Sequence, residues 1–419
     1  MPEEKTILSS QTALNKTTLL DVPKDVIGVL ASNYLSLQSI FSLRLTSKKF
    51  GLDDELNNIM NNKRLAIAVH AFGSFYLWRG KVFAVGRPYS GLKETIEQIP
   101  IPGNVSIRTI HVGSEYAIFS DGKNNYFEFG KHLSLTALPT YAEQIRKLQL
   151  KDSIITKVVT GDYNYFMCDN NGKWHSSGPH QASLDYLQEQ GKNITHIVSK
   201  DKHTCLRDND GRWYGFGKGE FFGAEEEVYE PVLITLPNEE AILDVKLGKE
   251  NTFLKGSSGR WFAYGQNSRN QLGASDIVSQ YSIFEYKTLD NLPIEKLIVG
   301  DYHVFACDKQ NQWYFSGAYI RYQANDTRRP VTRAWEYSKI FHPINLPNSN
   351  KIINIITATS HTFYLDNQGR WYAGGPNISH DLIGFKESYL TLEPKEFNFF
   401  ELANIADSET PESYNSLRR

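Results

Sequence analysis

Apolar and polar positions follow two different periods along the chain. In residues 19–50 they recur at helical spacing: Val26, Ile27, Leu30 and Tyr34, then Leu37, Ile40, Phe41 and Leu45. From residue 65 they alternate in short runs broken by Gly, Asn, Asp and Ser, the mark of strands and tight turns. The helical stretch predicts short helices. Asp21 is placed to cap the first, with Pro23 in its opening turn; Ser36 caps a second, and Ser47 starts a third. These helices carry more apolar positions than they can bury among themselves, so the surplus predicts a docking surface. Residues 1–16 are polar and predict a mobile leader. Residues 51–64, GLDDELNNIMNNKR, read as a polar helical linker, so the helical domain and linker span 17–64.

The strand-like part is a repeat. In residues 161–178, GDYNYFMCDNNGKWHSSG, the first residue is numbered zero; the same frame fits units starting at Val69, Gly113, Lys200, Gly248, Gly300 and Ala358. Position 17 is glycine throughout: Gly86, Gly130, Gly178, Gly217, Gly265, Gly317 and Gly375. Position 13 holds Val82, Tyr126, Trp174, Trp213, Trp261, Trp313 and Trp371. Position 11 holds Gly80, Asn124, Gly172, Gly211, Gly259, Asn311 and Gly369, the residue types that best tolerate φ > 0. Each unit reads as an entering strand, a second strand at positions 3–8, a tight turn, and a third strand ending at the glycine. Unit starts 39 to 58 residues apart fit one four-stranded blade each. A blade cannot bury both faces alone, so seven stacked blades predict a closed ring over 65–400. The fold class is therefore mainly β: a seven-bladed β-propeller with a small N-terminal α-helical domain. The position-13 tryptophans predict fillers between adjacent blades. Val82 is a weaker filler and predicts a looser first blade, or one partly covered by the helices. The stretch 385–400, FKESYLTLEPKEFNFF, is expected to complete the ring by pairing with the first blade, leaving 401–419 as a polar tail.

Composition narrows function without naming it. A net charge of −2 on 419 residues gives no long-range attraction to nucleic acid or anionic membrane. No signal peptide or bilayer-spanning apolar run is legible, which points to a cytoplasmic or nuclear working place. Cys168 and Cys307 share position 7 and Cys205 occupies position 5, so all fall on one strand face as small hydrophobes, without a disulfide framework. No phosphate-binding glycine loop, HExxH, nucleophile elbow or metal-ligand spacing occurs. The expectation is a protein without catalytic residues, metal or cofactor.

Two stretches resemble known families. Val22-Pro23, Asp25, the run Val26 to Leu30 and Ser47-Lys48-Lys49-Phe50 resemble an F-box, with Thr46 standing where an apolar residue is usual. That resemblance implies binding to the Skp-type adaptor of a cullin ubiquitin ligase. The contacts would be Val22, Pro23, Val26, Ile27 and Leu30, with Ile40, Leu43 and Leu45 behind or beside them. The repeats, with Gly300 to His303 as the G-x-x-H strand end and Asn267 with Gln271-Leu272-Gly273 after a closing glycine, resemble the regulator-of-chromosome-condensation family. The founding member of that family is a nucleotide-exchange factor for the small GTPase Ran. The resemblance implies a target-binding loop face carrying Asp162, Asp301 and Glu250. The position just before the histidine, where the family's key aspartate lies, holds Glu115, Tyr163, Lys202, Glu250, Tyr302 and Ser360 in units two to seven, which weakens the case for exchange. His203, His303 and His361 at position 3 are expected to be buried hydrogen-bonding residues.

The longest interval in the array, residues 318–343, departs from the frame. Its Arg321, Arg328, Arg329, Arg333 and Trp335 have the composition of an interface hot spot, which predicts a protruding wedge or docking loop. Two functions follow: an F-box receptor presenting a propeller-bound target, Ran or a relative, to a ubiquitin ligase, or an activator or exchange factor of Ran. The polar tail and the richness in Asn, Lys and Ile are similar to those of effectors secreted by intracellular bacteria, which would place either activity in host cytosol.

Overall fold

The computed structural model describes residues 65–403 apart from short internal stretches, the longest being 132–140, 219–227, 273–278, 323–332 and 375–393. The leader, the F-box-like helices, Arg328, Arg329 and the C-terminal tail lie outside the described residues.

Residues Ala66–Thr410 form one compact unit of seven antiparallel sheets, each ordered as its strands follow in sequence. Blade one is β1 (Ala66–His70), β2 (Gly73–Trp78), β3 (Lys81–Gly86) and β4 (Glu97–Ile99). Blade two is β5 (Thr109–Val112), β6 (Tyr116–Ser120), β7 (Tyr126–Lys131) and β8 (Tyr141–Lys147). Blade three has β9 (Ile155–Thr160), β10 (Tyr165–Asp169), β11 (Trp174–Ser176) and a helix, α1 (Gln181–Glu189). Blade four is β12 (Ile194–Lys200), β13 (His203–Asp208), β14 (Trp213–Gly217) and β15 (Val228–Leu233). Blade five is β16 (Ile242–Leu247), β17 (Asn251–Gly256), β18 (Trp261–Gln266) and β19 (Ser279–Glu285). Blade six is β20 (Lys296–Val299), β21 (His303–Cys307), β22 (Trp313–Tyr322) and β23 (Arg333–Pro343). Blade seven is β24 (Ile352–Thr357), β25 (Thr362–Asp366), β26 (Trp371–Gly374) and β27 (Lys395–Phe397), followed by α2 (Phe399–Leu402).

The repeat frame maps onto backbone chemistry. All seven position-11 residues have positive φ, from 62° at Asn311 to 83° at Gly211, Gly259 and Gly369. An aspartate at position 8 fixes the same turn in five units. Oδ1 of Asp169 accepts the amides of Asn171 and Lys173 at 2.8 and 2.9 Å, and Asp121, Asp208, Asp308 and Asp366 repeat the pattern. Unit five has Gly256 there, and the carboxylate of Glu240 takes the empty place: a Cβ on Gly256 would lie 2.5 Å from it. Glu240 then accepts the Ser258 amide at 2.7 Å.

Two kinds of seam contact join neighbouring blades. At the turn end, position 13 donates to the next inner strand: Trp174 Nε1 to the Ile194 carbonyl at 2.9 Å, Trp213 to Ile242 and Trp313 to Ile352 at 3.2 Å, and the Tyr126 hydroxyl to Thr156 at 2.9 Å. At the loop end, position 3 crosses instead. The Tyr116 hydroxyl donates to the Gly161 carbonyl at 2.8 Å, and His203, His303 and His361 share hydrogen bonds with Thr252, Thr357 and Ser74. The three cysteines are free thiols.

Three expectations change. Among the described residues blade three has three strands, not four. The segment after Gly178 has helical spacing, burying Leu184 and Leu187, and two glutamines stand in for a partner strand. Gln188 Oε1 accepts the Trp174 amide at 3.0 Å and Gln181 Oε1 the Ser176 amide at 2.8 Å. Secondly, β27 pairs with β26 of its own blade, Trp371 opposite Phe397, not with the first blade. Aromatic packing closes the ring: Tyr76 stacks on Phe397 at 5.5 Å and meets Phe363 and Phe399. Residues 385–393 of the expected closing stretch lie outside the described residues. Thirdly, Val82 is fully buried, packed in one core with Phe119, Phe127, Ile99 and Ile107, so larger neighbours make up its volume.

Candidate functional site

The closing glycines build one face of the ring. Gly217 pairs with His203 and Gly317 with His303, so each third strand ends beside the loop at positions 0–2 of its unit. A Cβ at Gly265 or Gly317 would fall 2.5 or 2.6 Å from the carbonyl oxygen of Glu250 or Tyr302. Only glycine, at φ 111° and 107°, allows that approach. The third strand therefore leaves each blade on the loop face.

On that face the structure brings together two of the expected site residues around a third that sequence reasoning passed over. Lys200 holds position 0, where four other units have glycine. Its Nζ lies 3.0 Å from Asp162 Oδ1 and 2.7 Å from Asp301 Oδ1, tying blades three, four and six. Asp162 also accepts the Asp201 amide at 3.1 Å. Burial opposes the charge on Lys200, but Asp301 and Asp162 outweigh it and hold the ammonium above its ordinary range. The only signal in the sequence was the glycine-to-lysine exception itself. Asp162 and Asp301 are thus engaged within the ring.

Glu250 is half-buried on the neighbouring loop, where its carbonyl accepts the Gln266 amide at 2.8 Å. Beside it Lys249 donates to the Tyr302 hydroxyl at 2.9 Å and sits 5.3 Å from that ring's centre. Tyr163, half exposed at 51%, offers an aromatic on the same face.

Removing the Lys200 charge leaves two mostly buried carboxylates facing each other. Because Lys200 is partly exposed, Lys200→Met is expected to cost about 2 kcal/mol, below the range for a fully buried pair. Urea denaturation checks this, and adding Asp162→Asn should restore part of the loss.

The Arg-rich insertion is a β-hairpin. In blade six β22 and β23 stay paired past Gly317, through Ala318 opposite Tyr337, Ile320 opposite Trp335, Arg321 opposite Ala334 and Tyr322 opposite Arg333. Five residues beyond the glycine extend the blade by roughly 17 Å at ~3.3 Å per residue. Blade four, by contrast, ends its outer pairing at Gly217 with Val228. The extension therefore continues blade six past the glycine that pairs with His303, at the end of the blade where Asp301 lies.

No family model matches the chain. Among solved structures it is similar to yeast RCC1 (Prp20) in complex with Kap60, with a TM-score of 0.56 and 14% identity, covering 73% of this chain and 78% of that one. It is similar as well to Prp20p of Saccharomyces cerevisiae, described with its binding properties to Gsp1p and histones, at TM-score 0.55 and 14% identity, over 73% and 81% of the two chains. In sequence it is 25% identical over 162 residues to the human probable E3 ubiquitin-protein ligase HERC3, which is 38% of this chain and 15% of that protein. The chain thus matches a small part of that relative's length. The likenesses to solved structures are likenesses of fold, a propeller like that of yeast RCC1. Among the described residues no helix is long and apolar enough to cross a membrane.

Proposed function

We propose that the chain is a non-catalytic interaction adaptor: the loop face of the propeller receives a protein target, and the F-box-like helices engage a Skp-type ubiquitin-ligase adaptor. The observation that carries the first half is the blade-six strand extension, the one described blade extension of this length, at the loop end of the blade that supplies Asp301 to the charged cluster. A target of the Ran type of small GTPase is favoured by the likeness to a yeast propeller described with Gsp1p binding. The second half rests on the order of segments, adaptor-binding helices first and propeller second, and implies a working place in the eukaryotic cytosol or nucleus. The exchange-factor alternative shares the fold, but Lys200 already neutralises Asp162 and Asp301. Acceleration of nucleotide release is therefore not expected.

The test uses the purified full chain. A Ran-type GTPase, loaded with GDP or GTP or emptied of nucleotide, is expected to bind at micromolar affinity and to lose binding to the Arg321→Glu/Arg333→Glu variant. Its nucleotide release should be unchanged, and faster release would favour the exchange reading instead. In parallel, a Skp adaptor should be retained by the native chain and not by Pro23→Ala/Leu30→Ala. No adaptor on the native chain would sink the ligase half, and no GTPase in any nucleotide state would sink the assigned target.

A further inference from the structure

The inner strands β12, β16 and β20 line an open cleft of about 370 Å³. That volume is in the range of small-molecule sites. Val198, Trp213, Leu247 and Val299 give it apolar walls, while His196, Arg207, Asp244 and Lys246 supply polar groups. His196 and Arg207 stand directly opposite each other on β12 and β13. Two such groups in register repel when both are charged.

Among the described residues no carboxylate pairs with either group, and His196 Nδ1 meets only the Thr195 hydroxyl at 3.2 Å. Arg207 Nε is buried without a hydrogen-bond partner, and its guanidinium forms no ion pair among the described residues. Asp244 is taken by Lys246 at 3.0 Å, and the neighbouring Asp208 is occupied with its turn amides. Blade five makes the contrast. Lys255, at the same frame position as Arg207, donates to the Glu295 carbonyl at 2.9 Å. The guanidinium is half-buried with its Nε donor out of reach of solvent, and an outside anion would complete it. Although His196 is exposed, partial desolvation and the Lys157 and Arg207 cations bring it below the ordinary imidazole range. A bound anion would reverse the effect of those cations.

We propose that this cleft binds a phosphate or sulfate monoester with a small apolar body, its oxyanion on Arg207 and His196 and its body against Val198, Leu247 and Val299. Arg207 supplies the forked donor that suits such an oxyanion, and the walls distinguish a monoester from a free anion.

Calorimetric titration of the full chain with phenyl phosphate tests the assignment. One saturable site is expected, with inorganic phosphate at least about tenfold weaker. Arg207→Gln should bind phenyl phosphate at least about tenfold less tightly, the effect of losing a charge-assisted pair. Its melting temperature should be unchanged, because Arg207 has no internal ion partner to lose. Phenyl sulfate, whose charge is constant, should bind more tightly as pH falls from about 7.5 to about 5.5, because anion binding favours protonated His196. In His196→Gln that slope should vanish, with Asp244, Lys246, Lys157 and Arg207 left in place. No saturable binding at millimolar phenyl phosphate, equal affinity in Arg207→Gln, or inorganic phosphate binding as tightly as the ester would each overturn the proposal.

Discussion

Truncating Trp174 to alanine is expected to lower the stability of the propeller by about 3–5 kcal/mol, the usual loss for a buried aromatic of this size. Its ring is 2% exposed and packs with Leu184, Leu187, Ile194 and Ile197. Its indole also joins blade three to blade four through the 2.9 Å bond to Ile194. The phenylalanine variants separate packing from that bond. Trp261 is matched to Trp174 in frame position, in burial at 4% exposure, and in carrying a lysine ammonium 5.6 Å over the ring. Its Nε1, however, has no partner among the described residues. Trp174→Phe should therefore cost about 1 kcal/mol more than Trp261→Phe, the net worth of one hydrogen bond. Denaturant midpoints of the full chain measure both. Equal losses would show that the indole bond contributes nothing and that the seam is held by packing alone.

What was legible in the sequence was the part set by local backbone chemistry. A glycine or asparagine at position 11 can only mean a turn with positive φ, and all seven have it. The closing glycines predicted a close approach of backbones, and Gly265 and Gly317 make one. The buried role of His203 and His303 followed from their place under the loop. What depends on residues far apart was not legible. Lys200 meets acids from two other blades, and no spacing rule brings Asp162 and Asp301 to one ammonium. Gln181 and Gln188 become a substitute strand edge only once α1 has docked. The position-8 aspartates lie between these cases. They recur visibly in DNNG, DNDG and DNQG, yet they read as turn formers until the structure shows them buried and accepting two amides each. Glu240 filling the space over Gly256 has no local signature at all, since the two are joined only through the sheet. Of the expected target-binding set, the structure gathers Asp162, Asp301 and Glu250 on the face where the paired backbones of Arg321, Arg333 and Trp335 rise. It leaves Arg328 and Arg329 outside the described residues.

Acid should open the ring at the loop-end seams well before it protonates the carboxylates. Burial lowers His203 to about 3, with the nearby Lys200 charge adding to the effect. Burial likewise lowers His303 to about 4, Asp301 opposing and Lys200 assisting. In the unfolded chain both titrate near 6.5. The unfolded state therefore takes up protons first. The stability these neutral histidines provide is complete above about pH 6.5 and is lost as pH falls toward their folded values. Each contributes a slope of about 1.4 kcal/mol per pH unit in that window, so together they remove several kcal/mol by about pH 5. Asp121 and Asp169 behave differently. Burial raises both, but hydrogen bonds from Asn125 and His175 and from backbone amides outweigh it, leaving each below the ordinary carboxylate range. Their contribution is present above about pH 4 and fails only below it. Denaturation midpoints should hold nearly level from about pH 7.5 to 6.5 and fall steadily from there to about pH 4.5, and a flat profile below about pH 6.5 would refute this account. His303→Gln, which can still bond Thr357 without titrating, should remove about half of the slope. Lys200→Met should make the acid loss smaller and end it at higher pH, because without the ammonium the folded-state values of His203 and His303 move up toward the unfolded one. Although Lys200→Met also lowers stability at neutral pH, a smaller loss between neutral and acid pH is a separate readout. It would connect the charged cluster on the loop face to the histidines that hold the blades beneath it.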